Sequence, residues 1–288
     1  LTVYDAYRRK DMYILAVETT GPFCSAAVID EKQNINEEVS REKMSHLKNL
    51  MPLVKKVLEE RKITSHGQKR ALQLDDIDAI AVSCGPGSFT GIRIGVSSAR
   101  ALSQAEGGKP LIPVPTLITF AHGEKEHKGL ICPVLDARRN QVYAGAWQWE
   151  QEQGKIKSEE DFLFEGADFP KHLCTKNIRE RVPAGPYMLE EFLELMEVYD
   201  DIMFFGDGLL PYGEKIKKWA HTEDRKISFA PSENRFQSAA LVAKHGLMLY
   251  KEGKTVGYEE LMPNYMRKAE AQKRLEEGTL SKRIKGEI

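Results

Sequence analysis

Two short segments carry the residues whose types and spacing could do chemistry. One is Gly85-Pro86-Gly87-Ser88-Phe89-Thr90-Gly91-Ile92-Arg93-Ile94-Gly95, set between a strand-like run at 79–84 and a helix-like run at 92–105. Glycines there permit unusual φ and close backbone approach, and a helix start turns free N–H groups toward an anion. Two readings fit: a phosphate or carboxylate site, or a tight strand-to-helix turn whose Gly91 and Gly95 let a neighbour come close. A Walker loop is excluded, because no Gly-Lys-Ser/Thr follows. The other segment is Glu18-Thr19-Thr20, at the end of an apolar run. An acid beside two hydroxyls can serve magnesium and phosphate, and it can equally bind backbone N–H groups. Glu18, Thr19, Thr20, Gly85, Gly87 and Ser88 together are read as a vestigial anion or nucleotide loop.

Other chemistries find less support. The seven histidines are His46, His66, His122, His127, His172, His221 and His245, and no two stand four apart. No helix can then offer two imidazoles to one metal, so no metal site is expected. His122 and His127, with charges between them, suggest a solvated turn. His46 reads as the neighbour of a helix cap. Ser88 lies outside any Gly-x-Ser-x-Gly elbow. Cys84 ends an apolar strand and reads as core rather than nucleophile. No catalytic residue is assigned.

Composition narrows the class. The chain has 288 residues, with 42 Lys plus Arg against 43 Asp plus Glu, a net charge of −1. A chain this near neutrality is no all-round nucleic-acid glove. Arg41, Lys43, Lys48, Lys55 and Lys56 are the nearest approach to a basic face, and they read as the solvated side of a helix. Apolar content of 41% fits a globular protein. The longest stretches without Asp, Glu, Lys or Arg, 79–92 and 110–123, are 14 residues each. A bilayer needs about 20 apolar residues, so no membrane span is expected. The apolar run at 12–17 is too short for a signal peptide. Four cysteines without a CxxC pair argue for a reducing compartment, and the expected location is the cytoplasm.

The elements that would position these residues follow from periodicity. Strands are expected at 13–17, 25–29 and 34–40, and a helix at 45–61 with Ser45 as N-cap and Pro52 inside it. A polar connection at 64–70 leads to strand 79–84, helix 92–105 and strand 111–114. The second half repeats the order, with strands 130–135, 142–149 and 202–205 and helices 188–198, 211–219 and 238–250. Such a repeat implies an α/β protein of two similar domains with mixed sheets facing across a cleft. This is the duplicated actin/sugar-kinase/Hsp70 (ASKHA, RNase H-like) plan. The domains are expected at 12–115 and 116–261, after a disordered extension at 1–11 and before a charged tail at 262–288. The helices 45–61 and 90–105 also carry apolar or small positions off their main stripes, which suits packing against a partner helix pair.

Several segments together resemble the TsaB, or YeaZ, family. They are 12–20, Ser45-His46 followed by Leu50 and Pro52, 85–95, 114–117, 135–138, Val142-Tyr143, 205–208 and 263–267. GPGSFTGIRIG is the specific one. The stretches 1–11, 65–71 and 178–196 depart from the family and read as surface additions. The resemblance implies a non-catalytic paralogue of TsaD, the transferase that installs threonylcarbamoyl on the adenosine beside the tRNA anticodon (t6A). It implies a TsaD-like transferase and a TsaE-like ATPase as partners, a homodimer when the partner is absent, and tRNA contact only through the complex. No cofactor is expected on this chain alone, with ATP or ADP only in the complex. TsaD-like proteins carry a His-x-x-x-His metal pair where this chain has Thr116 and Phe120. Their Ser-Gly-Gly-His-Thr phosphate loop falls on 135–139, where glycine is absent. The implied interface is Leu47, Leu50, Met51, Val54, Ile92, Gly95, Val96 and Ala99. The competing class is a stand-alone enzyme of the same fold, either a small-molecule kinase or a glycoprotease-type peptidase.

Overall fold

A computed structural model of the chain describes residues 11–42, 45–65, 68–150, 178–222 and 224–266. The extension at 1–11, the charged stretch at 150–161, Lys43, His66, His172, Cys174 and the tail beyond Met266 lie wholly or largely outside the described residues.

The first half opens as an antiparallel meander of β1 (Tyr13–Glu18), β2 (Cys24–Asp30) and β3 (Ile35–Ser40). Then come α1 (His46–Glu60), a hairpin of β4 (Lys62–Ser65) and β5 (Gln68–Ala71), β6 (Ala79–Gly85), α2 (Phe89–Ala105) and β7 (Leu111–Pro115). β6 runs parallel to β1 and β7 parallel to β6, giving the order β3-β2-β1-β6-β7. The second half is built from β8 (Leu130–Asp136), β9 (Gln141–Trp149), β10 (Ile178–Met188), α3 (Leu189–Leu195), β11 (Asp201–Phe205), α4 (Leu209–Thr222) and β12 (Lys226–Phe229). Its sheet has the order β10-β9-β8-β11-β12, with β8-β9-β10 antiparallel and β8, β11 and β12 parallel. The same order and the same mixture of directions occur twice, which is the duplicated ASKHA plan.

β1 is buried on both faces, and that is why it reads as an unbroken apolar run. Its alternate residues part into two cores. Leu15 and Val17 meet α1 and α2, whereas Ile14 and Ala16 meet the last helix, α5 (Ala239–Lys251). α5 is buried around most of its circumference, by β1, β2, β6 and β7 on one side and the 3-10 turn Leu117–His122 on another. The chain then returns along β7, where Leu111 and Val256 exchange backbone hydrogen bonds of 2.8 and 2.9 Å. Leu261 is buried in the first core.

The structure departs from the sequence reading in several places. The stretch at 178–196 is no surface addition: β10 completes the second sheet, and α3 buries Leu189, Phe192 and Leu193 in its core. α5 follows the second half in sequence but packs on the first sheet, so the boundary at 115/116 does not divide the cores cleanly. Residues 262–266 lie against the body of the molecule rather than in a tail. α2 begins at Phe89, because the Ser88 hydroxyl caps it by accepting from the Gly91 N–H at 3.2 Å. Ser45 stands at the start of α1 without capping it; its hydroxyl donates to the Glu42 carbonyl and accepts from the Asn49 amide.

The expected interface changes most. Leu50, Val54, Ile92, Gly95, Val96 and Ala99 are buried in this chain's own first core, with Val96 at 2% exposure. Of the eight residues only Leu47 (78%) and Met51 (40%) are exposed. The sheet beneath the two helices uses the surplus apolar positions, which a sequence cannot distinguish from a partner's use of them. Lys48, Lys55 and Lys56 on the outer side of α1 stand beside Glu42, Glu59 and Glu38, a solvated mixed-charge face.

Two outcomes follow. Phe192→Ala is expected to cost about 3–5 kcal/mol in chemical denaturation, because it hollows a core rather than trimming an addition. Val96→Asp is expected to unfold the first half, read as loss of its cooperative transition, instead of yielding a folded monomer that cannot associate.

Candidate functional site

The loop after β1 and the glycine turn after β6 are in direct contact. The Ser88 N–H donates to the Thr20 carbonyl at 2.8 Å, and the Thr19 hydroxyl donates to the Gly91 carbonyl at 2.7 Å. Gly91 is required by this approach: a Cβ there would lie 1.9 Å from the Thr19 carbonyl oxygen. Glu18, Thr19, Thr20, Gly85, Gly87 and Ser88 are therefore brought into one cluster. The loops bond to each other across the place where an anion would separate them, and an N–H at the start of α2 is spent on Thr20. Of the two readings of the glycine segment, the geometry matches the tight strand-to-helix turn.

Behind this contact lies a buried polar ring. Glu18 has no solvent exposure, and its carboxylate accepts from the Thr20 hydroxyl at 2.6 Å and from the Thr20 N–H. Thr116 hydroxyl lies 3.5 Å from that of Thr20 and 3.4 Å from that of Ser83. Burial pushes the Glu18 carboxyl above its ordinary range, while hydrogen bonds from Ser83, Thr20 and Gly21 restrain the rise. The other Glu18 oxygen has no partner among the described residues. The carboxyl is the hydrogen-bonding hub of this buried loop.

The positions compared with the metal pair are occupied by structural groups. Thr116 joins the hydroxyl ring, and Phe120 packs its ring 5.6 Å from that of Phe205. Among the described residues, no three His, Cys, Asp or Glu side chains are grouped to hold a metal. The thiols are unsuited to attack: burial pushes Cys24 and Cys84 up to about 12, and Cys84 donates to the Val114 carbonyl. The loop following β8 has three successive left-handed residues, Arg138, Arg139 and Asn140, at φ 66°, 56° and 62°. Such backbone normally favours glycine and costs a non-glycine residue on the order of 1–2 kcal/mol. Asp136 supports it by accepting from the Arg138 N–H, and its own N–H donates to Asp207.

Sequence reasoning missed one buried pair. His122, expected in a solvated turn, is 2% exposed, and its Nε2 lies 3.0 Å from Nδ1 of His245 on α5. Burial, then His245, Lys125 and Lys244, hold its imidazole well below the usual value. The signal was His245 itself, a polar residue in the run from Ala239 to Leu249, which has no other charged group except Lys244. His46 is buried at the start of α1 with Nε2 2.9 Å from the Gly21 carbonyl, securing the loop after β1.

Comparison with known proteins agrees with this geometry. The family model described as TsaD, tRNA N6-adenosine threonylcarbamoyltransferase, matches residues 37–274. The chain is 28% identical over 262 residues to the tRNA threonylcarbamoyladenosine biosynthesis protein TsaB of Bacillus subtilis, covering 91% of this chain and 96% of that protein. It is 27% identical over 268 residues to the Escherichia coli TsaB, covering 92% and 98%. The solved structure of YeaZ from Pseudomonas aeruginosa shares the fold at a TM-score of 0.65 and 22% identity, over 88% of this chain and 99% of that one. The chain belongs to the TsaD family of two-domain α/β proteins. Within that family its full-length resemblance is to the TsaB, or YeaZ, proteins.

The pH dependence of stability can be worked out for both buried groups. Glu18 holds its proton more tightly folded than unfolded, so its contribution is present at acid pH and is lost as pH rises above the ordinary carboxylate range. Glu18→Gln is expected to gain stability relative to the parent at pH 8 and to lose that advantage by pH 4, in parallel denaturation curves. His122 binds its proton less tightly folded, so its contribution is present above about 6.5 and is lost as pH falls below it. His122→Gln should flatten the acid limb between pH 7 and 5; an unchanged limb would assign the acid sensitivity to other groups.

Proposed function

We propose that this chain is an accessory, non-catalytic subunit in the installation of threonylcarbamoyl on the adenosine next to the tRNA anticodon. The observation that carries this reading is the resemblance to TsaB along nearly the full length of both proteins. The geometry supports it: the loops that would hold phosphate bond to each other, Glu18 is enclosed by hydroxyls, and the positions of a metal pair are Thr116 and Phe120. The chain acts by binding a TsaD-like transferase, with a TsaE-like ATPase joining the pair. Nucleotide and tRNA are engaged through that complex, in the cytoplasm. Among the described residues no helix is long and apolar enough to cross a membrane.

The surface for association is the outer side of α1 and the start of α2. Leu47 and Met51 are exposed there, with Phe89 at the head of α2. Burying a side chain of this size is worth about 1.5–3 kcal/mol, and a carboxylate in its place opposes contact. The same surface serves a second copy when the transferase is absent, so the two partners compete.

Leu47→Asp with Met51→Asp changes exposed positions and leaves the core intact. The double variant is expected to sediment as a folded monomer and to lose capture of a TsaD-like protein, and a variant that still associates both ways would place the surface elsewhere. The pure chain should neither turn over ATP nor cleave peptides, and should raise t6A formation when added to transferase and ATPase. Partner-independent ATP or peptide turnover would favour the stand-alone enzyme instead.

A further inference from the structure

Four residues of the chain's last described segment, Leu261, Asn264, Tyr265 and Met266, attach to both halves of the molecule. Leu261 is buried in the first core at 1% exposure. The Asn264 N–H donates to the Cys84 carbonyl at 2.7 Å, at the end of β6. The Asn264 carbonyl crosses so near Gly85 that a Cβ on that residue would lie 2.3 Å from its oxygen; Gly85 also has a φ of 120°. Tyr265 stacks on Phe89 with ring centroids 4.5 Å apart and planes inclined by 27°. Met266 packs on the core of the second half. The segment thus starts in the first half, crosses the glycine turn and ends against the second sheet.

Beneath Met266 lies a narrow slot of about 10 Å³, lined by Pro86, Pro115, Leu117, Trp147, Glu180 and Ala184. Ligand pockets usually enclose about 300–1,000 Å³, whereas this slot has room for about one water, so it is a closed seam rather than a ligand site. Its walls come from both halves. Trp147, 2% exposed, has an indole N–H without a partner among the described residues. The slot is therefore an apolar, incompletely satisfied surface which the chain covers with its own methionine.

We propose that Leu261–Met266 is a strap that closes the slot between the halves. Asn264 and Tyr265 fasten it to the first half and Met266 fastens it to the second. The backbone bond to Cys84 and the stacked ring are local contacts, so the strap can lift without unfolding either sheet. Lifting it uncovers Trp147 and the two prolines and frees the halves to move apart.

The test is hydrogen exchange on the full chain, compared with Tyr265→Ala/Met266→Ala and with Met266→Ala alone in case the double variant folds poorly. Met262→Ala, at an exposed position beside the attachments, is the control. In the parent, the peptide over 262–266 should be protected. In either variant that protection should be lost together with protection over 84–87 and 115–118, while the strands β1 and β8 stay protected and acrylamide quenching of tryptophan rises. Free exchange of 262–266 in the parent would overturn the proposal. So would a variant that loses protection at 262–266 alone, with the slot-facing segments and the quenching unchanged.

Discussion

The contact between the loop after β1 and the glycine turn after β6 is the constraint from which much of the molecule follows. Thr19 and Thr20 can reach Gly91 and Ser88 only because Gly91 lacks a side chain. That approach fixes α2 against β1 and β6 and sets the outward direction of Phe89. It also uses donors that an anion would otherwise claim. One close approach thereby holds the loop after β1 against the head of α2. The buried hydroxyl ring around Glu18 lies on the inner side, where burial pushes the carboxyl up and the hydrogen bonds it accepts oppose that rise.

The second half shows a related economy. At its corresponding loop, three successive left-handed residues contain no glycine and are held by Asp136 and Asp207. Both halves keep the same sheet order, and the loops at the ends of their first strands are bonded internally.

How the halves are joined is decided by α5 and by the chain that follows it. α5 covers the first sheet and touches the turn that leads to the second, with His245 meeting His122 at the joint. The His122 imidazole, 3.0 Å from His245, is held below its usual value by burial. The returning chain pairs with β7, crosses Gly85 and reaches the second core. The halves are consequently bound by two features, α5 and the returning chain, both contributed from beyond the second sheet.

Local pattern alone determined most of the elements. The apolar run at β1, the hairpin spacing of β2 and β9, the stripe of α1 and the glycine turn before α2 each depend on neighbours within a few residues, so they were legible in the sequence. The repeat of their order was enough for the duplicated plan, and the motif Gly85–Gly95 was enough to point to a family. β10 escaped notice because Arg179, Glu180, Arg181, Pro183 and Pro186 interrupt its apolar pattern, and only pairing with β9 makes it a strand. The strap escaped notice because Asn264 and Met266 acquire meaning only beside Cys84 and Trp147. The choice between core and interface for Val96, Ile92 and Leu50 was likewise tertiary. Apolar residues record that water is to be excluded, and only the packed structure decides which surface excludes it.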